Sequence, residues 1–396
     1  MIELTIVLKI CILLIFFYVA YLRIQHPFWI KQPVFHFYDL YYWIYDAGII
    51  NQELPKCSPY TNFLNIVTKP LTNEEMSNFT DIIQKNYLQN KENSYDPSAH
   101  NIAPYFPTSN TFISFYYPDH QTSPAGVITG RPMEMIIGAK KLDIYYVDFL
   151  CVKKNHRKKN VAAQLIQTHE YYQRRLNPNI CVSVFKREEE LTAIVPITTF
   201  QSYCFNWNST KITNLISIPK RNLLTGTPQN IKYFCDWVKS QMNSQKLMLI
   251  PQLDVLINLV VSKNIYIEML MEREQIQAAF IFKKSCVCIK NNKEILNCMC
   301  SIKDSECQNT KFIEGFIQST NKIIENDPQN EGSWNKKTIT HHNVYDYVAI
   351  EEIADNNIIG NFLKNITKPI ISTPNAYFFY NYAHHTFPSN RTIIIT

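Results

Sequence analysis

The stretch from Val147 to Ala163 most constrains the fold. The apolar run Val147-Asp-Phe-Leu-Cys-Val152 has the character of a strand, and it passes into the basic Lys153-Lys-Asn-His-Arg-Lys-Lys159. A helical pattern then starts at about Val161, with Leu165, Ile166 and His169 on or near one face. Strand, cationic loop and helix in direct succession belong to an α/β architecture. Backbone N–H groups at the helix start, with Arg157, Lys158 and Lys159, make a site for a pyrophosphate. Asn160, at the mouth of that helix, tolerates left-handed geometry better than most residues. Taken alone, the same letters fit a solvated basic turn better.

Composition narrows the function classes. The 396 residues are 46% hydrophobic and 13% aromatic, enough to bury one large core or two fused ones. Eight glycines argue against glycine-rich nucleotide loops, and neither a Walker A motif nor GxGxxG occurs. The net charge of +6 is scattered apart from the basic loop, whereas a nucleic-acid groove gathers cations on one face among aromatics. No nucleic acid is therefore expected as a partner. The 11 cysteines are odd in number and form no compact framework, which fits a reduced, cytosolic body. Cys286-Val-Cys288 and Cys298-Met-Cys300 stand on either side of Lys290–Glu294. Two such pairs could surround zinc, but zinc sites usually use CxxC knuckles, and a β-hairpin with buried cysteines gives the same letters. No metal is expected. The pairs His341-His342 and His384-His385 fare alike, because neighbours on a strand point to opposite faces.

Leu4 to Leu22 is an apolar run of about 19 residues, long enough to cross a bilayer. Tyr18-Val-Ala-Tyr-Leu-Arg23 lacks the small residues of a cleavage site, so a signal-anchor is expected over residues 1–25. Glu3 on one side and Arg23 and Lys31 on the other place the body in the cytosol, making a single-pass membrane protein. Sequons at Asn78, Asn208, Asn365 and Asn390 are read as accidents of an asparagine-rich chain.

Thr72-Asn-Glu-Glu75 opens a helix. Gly126–Gly130, Tyr145–Val152 and Cys181–Phe185 read as strands around the Val161–Arg175 helix. The second half repeats the texture. Helices are expected over Gln229–Met242, Leu253–Val261 and Phe312–Asn326, and strands over Tyr266–Met271, Gln277–Phe282, Tyr345–Ile350 and Tyr377–Tyr382. The final Arg391-Thr-Ile-Ile-Ile-Thr396 is an apolar strand that could bury a carboxylate at Thr396 and let it act as a base. The fold expected is α/β with mixed sheets, in two fused halves joined near Ile212–Arg221.

Several segments together resemble one family. Asp148-Phe-Leu-Cys-Val-Lys-Lys-Asn-His-Arg-Lys-Lys-Asn-Val-Ala-Ala-Gln-Leu-Ile166 is similar to the N-myristoyltransferase motif NFLCVHKKLRSKRVAPVLI. Phe28-Trp-Ile-Lys-Gln-Pro-Val34 resembles FWxTQPV, and Gly126-Val-Ile-Thr-Gly-Arg-Pro132 resembles GFISAIP. Leu191-Thr-Ala193 stands where YTAG is expected, and Tyr377-Phe-Phe-Tyr-Asn-Tyr382 is similar to YYLYNW. Arg157 and Ala162 also fit the R-x-x-G-x-G/A loop by which acetyltransferase-type folds hold coenzyme A, with Asn160 at its first glycine.

The resemblance implies two acetyltransferase-type (GNAT-like) halves with pseudo-twofold symmetry. Residues 26–215 would bind acyl-CoA and residues 216–396 the peptide. It implies transfer of a long-chain acyl group, myristoyl in the first place, from acyl-CoA (myristoyl-CoA) to the N-terminal glycine of peptides or proteins, with acyl-CoA as co-substrate and no permanently bound cofactor. Backbone N–H groups of Phe149 and Leu150 would form the oxyanion hole, Thr396 would supply the base with its pKa raised by burial, and Thr192 would bind the amine. Phe28 and Trp29 would close over the acyl-CoA. Cys151, Val152, Arg157, Lys158, Lys159, Asn160, Val161, Ala162 and Ala163 would hold it. Asp148 replaces the family's Asn and could assist the base or neutralise the ammonium. The acidic patch YVEDDD is reduced to Tyr87-Leu-Gln-Asn-Lys-Glu92, and a GDG loop has become Ser372-Thr-Pro374. These departures leave two other readings open, a catalytically degenerate acyl-CoA-binding scaffold and a transferase acting on lysine or small amines.

Overall fold

The computed structural model describes residues 2–39, 44, 46–88, 93–106, 110–119, 121–188, 193–207, 212, 219–289, 293–326 and 345–396. Thr192, His341, His342 and most of the expected junction lie outside them.

The first helix, α1 (Ile2–Gln25), stands apart. Its segment Ile6–Gln25 is long and apolar enough to cross a membrane, and none of it is buried by the rest of the protein. The first half of the body then contains β1 (Gly48–Ile49), β2 (Ile66–Pro70), α2 (Asn73–Asn86), β3 (Asn93–Tyr95), α3 (Ala99–Ile102) and β4 (Phe112–Tyr116). The long hairpin β5 (Gly126–Ile137) and β6 (Lys140–Val152) leads into α4 (Val161–Leu176), β7 (Ser183–Glu188) and β8 (Thr198–Asn206). The second half carries β9 (Leu223–Thr225), α5 (Ile231–Ser240), β10 (Leu247–Pro251), α6 (Leu253–Val261) and β11 (Ile265–Glu272). A second long hairpin, β12 (Gln275–Ile289) and β13 (Lys293–Lys303), is followed by α7 (Asn309–Glu325), β14 (Tyr345–Glu351) and α8 (Asn356–Ile366). The chain closes with β15 (Ile371–Tyr380), β16 (Tyr382–Ala383) and β17 (Thr392–Ile394).

The two halves repeat one plan. An antiparallel hairpin, β5–β6 or β12–β13, is followed by a helix, α4 or α7. The next strand, β7 or β14, then lies parallel to the hairpin's second strand. Among the described residues one mixed sheet runs β17-β10-β5-β6-β7-β15-β8-β14-β13-β12-β11-β9, with β4 and β2 beyond β5 and β3 on β12. β15 pairs antiparallel with both β7 and β8 and so seams the halves together. The largest core draws Phe149 and Val184 from the first half and Ile267 and Ile281 from the second, with Ile393–Ile395 of the closing strand.

The cysteine hairpin forms, but its pairs do not converge. A bulge in the β12–β13 register between Ile281 and Phe282 turns Cys298 into one core and Cys300 into the other. Among the described residues no three His, Cys, Asp or Glu side chains gather as a metal site. Thr72 caps α2 in extended geometry, but its hydroxyl bonds the Glu75 carboxylate rather than a helix N–H.

Candidate active site

The site begins where β6 leaves its neighbours. β6 and β7 pair only at Tyr145–Ser183 and Tyr146–Val184; beyond that point Val147–Val152 has no partner on β7, and the sheet opens. On the other side the β5–β6 register shifts between Val127 and Thr129, so Phe149 and Leu150 oppose the single residue Ile128. This is a β-bulge, which leaves residues outside the ladder and re-aims them. Phe149 sits at its apex with φ +53°, a left-handed value that a bulky residue adopts only when its surroundings hold it. Here they do. Its ring packs among Phe79, Tyr87, Tyr95 and Phe106 at centroid distances of 5.3–6.5 Å. The Phe149 N–H donates to Oδ1 of Asp148 at 2.7 Å.

After the bulge, Lys158 and Asn160 are also left-handed (φ +61° and +60°), and this double turn swings the chain into α4. Asn160 occupies the N-cap in that conformation. Arg157 is spent locally, its Nε donating to Val152 O at 2.9 Å and its Nη2 to Asn86 O at 3.0 Å. Lys158, Lys159 and Asn160 are exposed at the mouth of the helix, Val161 is buried, and Ala162 and Ala163 are half-buried. The helix is seated against β5 at Gly130, where any Cβ would overlap Gln173 Oε1 and stand 2.8 Å from His169 Nε2.

The opened sheet encloses a cavity of about 710 Å³. Asp148, Phe149, Leu150 and Trp29 line it, and so does Thr396, 6% exposed. Thr396 arrives on β17, which lies parallel to β10 and is continued by the Ile395 N–H donating to Leu249 O at 2.9 Å. Lys283 Nζ donates to Thr396 O at 3.2 Å, and the Tyr377 hydroxyl is 3.3 Å from Thr396 Oγ1. Phe28 stands behind Trp29 in an edge contact at 5.0 Å, and Trp29 stacks on Phe185 at 5.7 Å. The basic loop lies outside the cavity lining. Cys151 is buried below it, and that burial pushes its thiol up to about 11, unsuited to a nucleophile at neutral pH.

Charged groups that sequence reading did not single out also reach the cavity. Lys186 pairs with Glu351 at 2.9 Å and Glu188 at 3.3 Å. Burial alone would pull its ammonium down, but the two carboxylates outweigh burial and hold it well above its usual range. Lys283 is brought down to about 8, by burial first and then by the charge of Arg131. At another part of the lining Glu170 is pushed up to about 7 by burial, with Arg174 pulling against it. His169, which shares a 2.8 Å hydrogen bond with Ser114, is lowered to about 4 by burial. The one legible signal was Arg131, a lone cation inside the apolar Gly126–Ile137 run.

Residues 56–198 match the family described as myristoyl-CoA:protein N-myristoyltransferase, N-terminal domain. This stretch is similar to the N-terminal domain of that family. Over the whole chain the likeness is one of fold. A Saccharomyces cerevisiae N-myristoyltransferase with bound myristoyl-CoA superposes with a TM-score of 0.70 at 14% identity, covering 94% of this chain and 99% of that one. A structure of the same yeast enzyme with myristoyl-CoA and inhibitors gives 0.68 at 15% identity, covering 92% and 91%. No curated protein matches by sequence. The family match and the fold are those of an N-myristoyltransferase-like acyltransferase.

Proposed function

We propose that this protein transfers a long-chain acyl group, with myristoyl the first candidate, from acyl-CoA to the N-terminal glycine amine of a peptide or protein. The convergence on one cavity of Thr396 with Asp148 and the Phe149–Leu150 bulge, which belong to the family-matched segment, carries this reading. The thioester carbonyl is taken to lie against the bulge, where the backbone N–H groups of Phe149 and Leu150 receive the developing oxyanion. A carboxylate at Thr396 takes a proton from the substrate ammonium. The free amine attacks the carbonyl carbon, the C–N bond forms, the C–S bond breaks, and the proton that the attacking nitrogen loses balances the one taken up by the leaving coenzyme A sulfur. Asp148 holds the Phe149 N–H in the resting state and must yield it as charge builds on the carbonyl oxygen. Thr192 is kept as the amine-binding hydroxyl. Lys158, Lys159, Asn160 and the start of α4 are taken to meet the coenzyme phosphates, with Arg157 bracing the loop through Val152 and Asn86 and Phe28 and Trp29 over the acyl-CoA. Residues 26–215 are taken as the acyl-CoA half and 216–396 as the peptide half, carried on the membrane by α1 with the body in the cytosol.

The test uses the full chain in detergent micelles, acyl-CoAs of several lengths and a panel of N-terminal-glycine peptides, with products followed by mass. Acylation of the glycine amine is expected, and a short extension beyond Thr396 is expected to reduce it about a hundredfold or more. Tight acyl-CoA binding without transfer to any amine replaces the enzyme with a scaffold. Acylation at lysine side chains alone replaces it with a lysine transferase.

A further inference from the structure

Arg131 lines the cavity and makes no ion pair with a carboxylate side chain among the described residues. Its guanidinium lies over the Tyr105 ring at 4.4 Å and the Tyr146 ring at 4.8 Å, in a residue only 4% exposed. Its Nη2 has no hydrogen-bond partner. Lys283 Nζ lies over the same Tyr105 ring at 5.0 Å. Two cations therefore share one aromatic ring at the cavity wall, and both line the cavity. The other lysines there are committed, Lys186 to Glu351 and Glu188, and Lys284 to Glu294 at 3.9 Å. A guanidinium cannot shed its proton, so a buried one that pairs with no carboxylate is held at an electrostatic cost that an arriving anion would relieve.

We propose that Arg131 and Lys283 form an anion subsite that reads a carboxylate side chain on the acceptor peptide. Placing that carboxylate on the acceptor rests on the proposed function. A planar guanidinium flanked by aromatic faces presents its fork to a carboxylate, and the neighbouring ammonium adds a second donor. The subsite belongs to the acceptor side because Lys283 also contacts Thr396, whereas the basic loop offered to the coenzyme lies outside the cavity lining. The strand that carries Arg131 has an isoleucine at that place in the GFISAIP pattern, so the charge is this chain's own.

Peptides with an N-terminal glycine and a single Glu, Gln or Lys stepped through the following positions are bound to the full chain loaded with a non-reactive thioether acyl-CoA analogue. At one position Glu is expected to bind about tenfold or more tighter than Gln, and Lys weaker than either. Arg131→Met is expected to bring Glu and Gln within about twofold, and Lys283→Met to reduce the preference in part. The peptide series on the unaltered protein decides even where a variant fails to fold. Absence of a Glu preference at every position, absence of peptide binding, or a preference unchanged in a folded Arg131→Met overturns the subsite. If Arg131→Met instead weakens the analogue itself, but not its dephospho form, the cations serve a coenzyme phosphate and the proposal fails. Binding is read without turnover, so a protein that selects acidic peptides yet transfers nothing refutes the proposed function and leaves the subsite standing.

Discussion

Side by side on one turn of α4, His169 and Glu170 pull stability in opposite directions as pH changes. Glu170 is raised from an ordinary carboxylate value to about 7, so between about 4.5 and 7 the folded state holds a proton that the unfolded chain has released. Its contribution is full at the acid end and is lost as pH rises through that window. His169 is lowered to about 4, so between about 4 and 6.5 the unfolded chain binds the extra proton, and this contribution grows with pH. The two slopes oppose each other where they overlap. Glu170→Gln is expected to leave stability rising from pH 4.5 to 6.5 by an additional ~2 kcal/mol relative to the unaltered protein, and His169→Gln to leave it falling. Urea midpoints across that range decide, and parallel curves for all three proteins reject the assignment. Neither shift was legible in the sequence, where His169 reads only as part of a helix face. Burial depends on what packs across the helix, and for His169 that comes from distant segments: Ser114 on β4 and Gly130 on β5.

The elements were more legible than the groups that titrate. Leu253–Val261 was expected and found at the same bounds, and α4 differs from its expected span by one residue at its end. Both carry a strong apolar face. The sequence reading passed over β1–β4, β8–β10, α3 and α8. β4 and β10 are short runs buried on both faces, where alternation is lost and strand cannot be told from helix by period. The Phe149 bulge was likewise hidden, because the letters Asp-Phe-Leu-Cys give no sign that two residues will face one. The seating of α4 provides the test at this scale. Gly130→Ala is expected to destabilise by about 1–3 kcal/mol, because the new methyl overlaps Gln173 and His169. Pairing it with Gln173→Ala is expected to recover about half of the loss, measured as shifts in the urea midpoint. Additive losses in the double variant place the strain elsewhere.

At the scale of the molecule, α1 and the body are nearly independent. The Ile6–Gln25 segment is unburied, and its joint to the body is the Arg23–Asp39 pair at 4.0 Å with Arg23 over Tyr38; such an exposed pair contributes at most about 1 kcal/mol. Removing residues 1–22 is therefore expected to abolish flotation with lipid vesicles while leaving the thermal midpoint of the body within about 2 °C. A large fall in that midpoint would show that the helix supports the fold. The seam made by β15 has a different consequence, one of timing. A ribosome releases β7 and β8 long before it reaches β14 and β15, so the nascent first half emerges with one edge of β7 and both edges of β8 unpaired. Until the late-made strands slide between and beside the early ones, the growing chain exposes edges that any other extended polypeptide could occupy. The strand order itself thus leaves the nascent chain more open to mispairing than the finished one.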